Sequence, residues 1–447
     1  MMNNLEGQLR KEIGLTVSIS IVIGTVIGSG IFMKPGKVIA SAGDPSMALL
    51  AWVLGGLLTL AAGLTIAEVS TQIPKTGGLY VYLEEVYGKI WGFMSGWVQT
   101  IIYGPAVIGA LGLYFGSLVI HMFGMADGWK TSIGIAAIVF LAVMNSLGAK
   151  WGGWIQTAAT LGKLMPIALI AIFGIWKGHG QLWNTGELSS QTNMGVAILA
   201  TLWAYDGWIL IGLVAGEMKN PAKMLPRAII GGLAVVIVAY LSVNVALLHV
   251  LSADQIVALG DNAASQAASL LFGEIGGKLI PIGILISIFG CLNGKIFTFP
   301  RIPFAMAERA QLPFSRVLSK VHERFGTPVF AILLETMIAI LLMLLGNPDR
   351  LSDIAIFAIY IFYIQAFLAA FILRKRNPGK ARIYSVPLYP ITPILAIIGS
   401  GYVIVSTVMT NPSDTMFAIA LTLIGLPLYL LLNRSEAQIL VDSPSNR

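Results

Sequence analysis

Apolar runs recur along the whole chain, most of them close to or longer than the ~20 residues a helix needs to cross a bilayer. Short polar stretches separate twelve such runs, at 13–41, 46–72, 89–122, 129–148, 154–176, 194–216, 226–251, 278–307, 328–346, 352–373, 388–410 and 416–433. Inside a membrane each backbone N–H and C=O must find a partner within the protein, and a helix provides that within one segment. The expected fold class is therefore all-α integral membrane, with twelve transmembrane helices. Several runs exceed the crossing length, so tilts, kinks or breaks are expected in them. Composition excludes other classes. Of 447 residues, 56% are hydrophobic and 11% charged, against about 25% charged in soluble domains. A soluble enzyme, a disordered chain and a nucleic-acid binder are ruled out. Cys291 is the only cysteine, so an internal disulfide framework and a cysteine metal site are excluded. The four histidines lack metal or catalytic spacing, and no cofactor or metal is expected. Ala40-Ser41-Ala42 has the look of a cleavage site, but the long run before it, with Lys34, Pro35 and Lys37, speaks against a cleaved signal peptide.

The net charge of +7 is an orientation signal. With the N-terminus inside, nineteen Lys and Arg fall in inside segments and six in outside segments. Lys163, Lys295 and Arg301 remain within spans. The bias toward the inside places both termini in the cytoplasm. Residues 1–433 form one transmembrane domain, and 434–447 a cytoplasmic tail. Residues 252–277 make an Ala-rich outside loop in which Asp254, Asp261 and Asn262 are possible helix caps.

Two spans carry mid-membrane weak points. Span 1 contains Gly28-Ser29-Gly30, which disfavours a continuous helix. Close packing through Gly24 and Gly28 is one reading. The other is an unwound segment starting a second half-helix, whose free N–H groups form an anion site at membrane depth. Span 6 contains Trp203-Ala204-Tyr205-Asp206-Gly207-Trp208. An Asp at that depth needs a partner or a task. As N-cap of a second half-helix near Gly207 it would itself require a break; as a direct substrate ligand it would line the site. Span 6 crosses in the opposite sense to span 1. Breaks at matching places in two halves point to an inverted-repeat transporter with a midplane site. The repeats are approximately 13–176 and 194–373, with 388–433 appended.

Lys163 lies nine residues into span 5, about 13 Å deep. It either pairs with an acid on a neighbouring helix or binds carbonyls freed where span 1 unwinds. The second arrangement puts a fixed charge where a sodium ion would serve. Glu68, Lys295, Arg301 and Glu335 lie toward cytoplasmic span ends, as gate or packing ion pairs. Tyr240 and Asn244 share a face of span 7, lining the pathway or joining helices. Cys291 reads as a small buried hydrophobe.

The motifs are more specific in order than singly. Gly28-Ser29-Gly30-Ile31-Phe32 is followed by Pro74-Lys75-Thr76-Gly77-Gly78-Leu79-Tyr80-Val81-Tyr82. Gly216-Glu217-Met218-Lys219-Asn220-Pro221 runs on to Pro226-Arg227-Ala228-Ile229. Ala307-Glu308-Arg309-Ala310-Gln311-Leu312-Pro313 precedes His322 and Thr327-Pro328. This set resembles the amino acid–polyamine–organocation superfamily and, within it, the L-type amino acid transporters, most of all their bacterial serine/threonine exchange members. The resemblance implies the leucine-transporter fold, with a 5+5 inverted repeat and discontinuous helices 1 and 6. It implies a sodium-independent exchanger of small neutral L-amino acids such as serine, threonine and alanine in a bacterial inner membrane. Spans 1, 2, 6 and 7 would rock against a scaffold. The N–H groups of Ser29 and Gly30, beside Gly28, would hold the substrate carboxylate. Carbonyls at Val26 and around Trp203 and Asp206 would hold the amine. Trp203 would be the lid, where L-type members usually carry Phe, and the larger ring favours small substrates. Lys163 matches the span-5 lysine of sodium-independent members, and Tyr240 joins it as a gating candidate. Many members have Gly at the position of Asp206, so no role transfers to it. Residues 121–130 lack the cysteine that bonds a glycoprotein subunit in animal members, so no such partner is expected. Proton-coupled uptake, with Asp206 or Lys163 titrating, is the main alternative. A channel would need a repeated filter, and an intramembrane enzyme a catalytic constellation at one depth; the sequence has neither.

Overall fold

The computed structural model describes residues 14–73, 77–178, 192–379 and 381–441. Pro74-Lys75-Thr76, both chain ends and the expected tail beyond 441 lie outside the described residues. The described residues form no β-strand. In chain order the helices are α1 (Leu15–Val26), α2 (Gly30–Met33), α3 (Pro35–Ala42), α4 (Pro45–Gln72), α5 (Leu79–Tyr87) and α6 (Lys89–Val98). A π turn (Gln99–Tyr103) joins α6 to α7 (Gly104–Phe123), followed by α8 (Trp129–Ser146) and α9 (Ala149–Lys177). After α10 (Met194–Ala204) comes a 3-10 segment, Trp208–Glu217, then α11 (Pro221–Val250), α12 (Ala253–Leu259) and α13 (Ala263–Thr298). The chain closes with α14 (Arg301–Glu308), α15 (Ser315–Leu318), α16 (Val329–Met343), α17 (Pro348–Arg376), α18 (Ile391–Thr410) and α19 (Pro412–Val441). Among the described residues nine segments are long and apolar enough to cross a membrane, and α10 and α16 are shorter apolar helices.

The starts of the long helices follow a local rule. Asp44-Pro45, Asn220-Pro221 and Asn347-Pro348 open α4, α11 and α17. In each the Asp or Asn side chain accepts an N–H of the first turn, and the proline sits where no helical N–H is needed. The breaks are as local. α1 stops where Ile27 turns extended, and the helix resumes at Gly30. Pro35 then opens α3 as a separate helix. α10 stops at Ala204, and Gly207 takes φ 115°, a left-handed conformation open mainly to glycine.

Packing places these breaks together. α1 packs on α11, and α10 on α4; α4 and α11 also lie side by side. α9 packs against α13 and α11. The core is continuous, whereas Phe123, Trp176, Met409, Met416 and Leu431 are among the large apolar side chains left facing outward. An outward apolar surface is what a lipid environment accepts without cost.

The region expected as an outside loop is helical. Ser252, not Asp254 or Asp261, caps α12, through a capping box with Gln255. Asn262 stands before α13 but its side chain makes no cap bond. α12 packs on α3, and α13 bends at Gly273 (φ 66°). Alanine-rich composition and the possible caps agree with these helices, although the capping residue differs.

Candidate substrate-binding site

A small cavity forms where the two broken helices face each other. It is lined by Thr25, Val26, Gly28, Ser29 and Gly30 of span 1, by Trp203 and Asp206 of span 6, and by Val107, Leu111, Cys291 and Lys295 from the surrounding helices. The N–H groups of Gly28, Ser29 and Gly30 donate to no acceptor among the described residues. The Ser29 hydroxyl is buried and also has no partner. Three backbone donors and a hydroxyl thus stand at the start of a half-helix beside the cavity. Such a cluster suits a carboxylate.

The close approach of the two segments depends on the glycines. A Cβ on Gly30 would lie 2.3 Å from Ala204 Cα, and one on Gly28 would lie 2.6 Å from Cys291 Sγ. These glycines therefore serve packing as well as open donors, so the two readings of span 1 are not exclusive.

The carbonyl ends of α1 and α10 are held by side chains. Lys163, fully buried, donates to Gly24 O at 2.7 Å and Ile27 O at 3.0 Å. No acidic side chain pairs with it among the described residues. The Tyr240 hydroxyl bridges the two breaks, reaching Ala204 O at 2.9 Å and Val26 O at 3.2 Å. Asn244 binds the Tyr240 carbonyl within α11. Thr25 Oγ1 reaches Gly207 O at 3.2 Å, a second link between the breaks. Val26 O thus already accepts one bond, which leaves one lone pair for an amine.

Asp206 does not cap the segment after it: Gly207 precedes Trp208, and no side chain caps there. Its carboxylate instead accepts from Tyr103 at 2.5 Å and from Lys295 at 2.9 Å. Lys295 therefore belongs to the site and not to a cytoplasmic gate. It forms an ion pair, as expected, but beside the cavity: its partner Asp206 lies at the break in span 6, which position along span 8 does not reveal. Tyr103 was overlooked because a π turn has no residue signature. Each of the two charges neutralises the other, which is what permits them to be buried.

Trp203 is 5% exposed. Lys34 Nζ lies 5.7 Å from its ring and 5.4 Å from the Tyr114 ring. Lys34 also binds Asp349 and donates to Ser352 at 2.8 Å, while Lys37 pairs with Asp353 at 2.7 Å. α2 and α3 are thus latched to the start of α17 directly beyond Trp203. Sequence spacing gave no hint of this cluster, because its partners are more than 300 residues apart.

At the other end the ordered motifs interlock. Tyr80 binds Gln311, and Arg309 binds Glu84 and lies over the Tyr80 ring. Glu68 takes both arms of Arg374 at 2.6–2.7 Å and the Val386 N–H at 2.7 Å. Here Glu68 is a packing ion pair. Arg301 lies 4.1 Å over the Phe297 ring, and Glu335 makes no hydrogen bond among the described residues.

A bundle of apolar helices, with a polar cavity where two of them break, is the build of a membrane transport protein. The chain belongs to the amino acid permease family, whose model matches residues 13–429. It is 59% identical to the serine/threonine exchanger SteT of Bacillus subtilis over 98% of this chain and all of that protein. It is 31% identical to the human cystine/glutamate transporter, over 95% of this chain and 85% of that one. It is 30% identical to the human large neutral amino acids transporter small subunit 2, over 95% and 80%.

Proposed function

We propose that this protein exchanges small neutral L-amino acids, serine, threonine and alanine among them, across a bacterial cell membrane by alternating access. The carrying observation is the set of unpartnered donors at Gly28, Ser29 and Gly30, opening on a cavity that Trp203 helps to line. A substrate carboxylate satisfies those donors. The amine takes the second lone pair of Val26 O and carbonyls around Trp203 and Asp206. Trp203 limits side-chain size. Tyr240 and Thr25 hold the two broken helices together, so these move as one body, and Lys163 ties the break in span 1 to span 5.

In this reading the chain has twelve spans in two inverted repeats, with both termini cytoplasmic. The reciprocal packing of α1 on α11 and α10 on α4 supports the repeat, because each broken helix lies on the second helix of the other half. The fixed charge of Lys163 on Gly24 O and Ile27 O supports sodium independence, since those carbonyls are already served. No disulfide-linked subunit takes part, as Cys291 is buried.

Reconstitution in proteoliposomes tests the reading. Serine uptake is expected to rise when the lumen is preloaded with serine, threonine or alanine, and to be unchanged when choline replaces sodium. Uptake that ignores lumenal substrate, or that needs sodium, would overturn it. Proton-coupled uptake would appear as accumulation into empty vesicles driven by a pH gradient.

A further inference from the structure

α16 is apolar except for Glu335 and Thr336. Glu335 is 1% exposed, and neither carboxyl oxygen has a hydrogen-bond partner. Elsewhere the buried acids are served: Asp206 by Tyr103 and Lys295, Glu68 by Arg374 and a backbone N–H. Glu335 is the exception.

Its surroundings link it to the substrate site. A Cβ on Gly104 would lie 2.9 Å from Glu335 Oε2 and 3.2 Å from Phe299 Cγ, so the bare backbone after the π turn leaves room for the carboxyl. The Phe299 ring meets Tyr103 edge-on at 5.1 Å and lies 5.5 Å from Lys295 Nζ. Tyr103 and Lys295 are the two donors to Asp206. The carboxyl, the π turn and the Asp206 cluster therefore share neighbours.

α16 packs against the π turn, α7, α8, α13, α14, α15 and α17. Among their ionisable groups, Tyr103 and Lys295 are committed to Asp206, and Tyr114 and Asp349 to the Lys34 cluster. Arg301 lies over Phe297, and Tyr360 and Tyr363 pair with each other at 5.2 Å. Lys130 and Arg316 belong to the ends of the bundle, at the start of α8 and in α15. None of these groups hydrogen-bonds Glu335.

We propose that Glu335 is a proton-binding site, occupied in this conformation, whose proton leaves when the π turn shifts during transport. A lone carboxylate in a dry interior is stable only with a proton on it. Even the neutral acid lacks an acceptor for its O–H here, so another arrangement must serve it better. The π turn supplies one. It is a single i→i+5 turn, of the kind frequent at functional sites, and its passage to α-helical register gives that arrangement. That passage turns a different face of α7 toward Glu335 and moves Tyr103 off Asp206. Proton release and rearrangement of the substrate site are then one event.

The test uses the full chain in lipid vesicles and a hydrophobic carbodiimide, which modifies protonated carboxyls within membranes, with peptide mapping. Glu335 is expected to be modified at acid pH and less so as pH rises. No modification at Glu335, or modification indifferent to pH, overturns the proposal. This arm needs no variant and no substrate, so its failure is separate from failure of the exchange reading, on which the second arm rests. In that arm Glu335→Gln, which keeps the shape of the neutral acid but has no proton to release, should insert yet exchange serine more slowly and lose the pH response of the wild type. A Glu335→Gln profile that follows the wild type also overturns it. A variant that does not insert leaves the decision to the labelling.

Discussion

At the residue scale the site runs on charges that have been given partners in a dry interior. Lys163 offers the clearest case, since its partners are carbonyls and not an acid. Lys163→Ala leaves those carbonyls buried without donors, at a cost of about 1–3 kcal/mol per group. We expect an inserted protein with a lower melting temperature and slowed counterflow; wild-type exchange rates would show that the tie is dispensable. Asp206 and Lys295 make a different case. Breaking a buried pair by removing one partner costs about 3–5 kcal/mol, whereas removing both leaves no stranded charge. Asp206→Asn and Lys295→Met should each destabilise the protein strongly, and the double variant should recover much of that loss. Additive losses in a thermal double-mutant cycle would mean the two groups act independently. The position of Lys163 was legible from depth alone, because an ammonium in mid-span is conspicuous. The pairing of Asp206 was not, because its partners Tyr103 and Lys295 stand 103 and 89 residues away in the chain, on two other elements.

At the element scale the function lies in where helices stop. Both breaks could be seen in the sequence: Gly-Ser-Gly alone also suits close helix packing, and Asp-Gly at the matching place in span 6 favoured a break. Less visible was what the breaks do to each other. Gly30 faces Ala204 so closely that any side chain displaces one segment from the other. Even Gly30→Ala should therefore cost about 1–3 kcal/mol as overpacking, and loss of transport in a bulkier variant would not by itself identify the carboxylate site. Ser29→Ala is the cleaner probe, because it keeps the backbone N–H and removes a hydroxyl that has no partner. It should transport at near wild-type rates, and alanine amide should fail to compete with serine for either protein. Competition by the amide equal to that of alanine would place the substrate elsewhere. The motifs carried their own lesson. Tyr80 and Gln311 stand 231 residues apart yet bind each other, so an ordered set that reads as separate loops is one interlocked surface.

At the scale of the whole molecule, the cavity is shut from two directions by clusters of different construction. On the side taken as external, α2 and α3 are latched to α17 through Lys34, Lys37, Asp349 and Asp353, with α12 packed over α3. On the other side, the Tyr80–Gln311 and Arg309–Glu84 contacts join α5 to the segment after α14. Alternating access requires that only one of these opens at a time. The chain's single cysteine can report which, because Cys291 lines the cavity and is buried at 3% exposure. Its modification by a membrane-impermeant thiol reagent therefore measures the opening of the path to it. Asp349→Asn removes the charge that holds Lys34 and should raise labelling from the external face. Arg309→Gln should raise labelling from the cytoplasmic face in inverted vesicles and leave the external rate low. Saturating serine should slow both by filling the space beside Cys291. If Asp349→Asn raised labelling equally from both faces, the two clusters would not be alternate gates but parts of one stabilising frame.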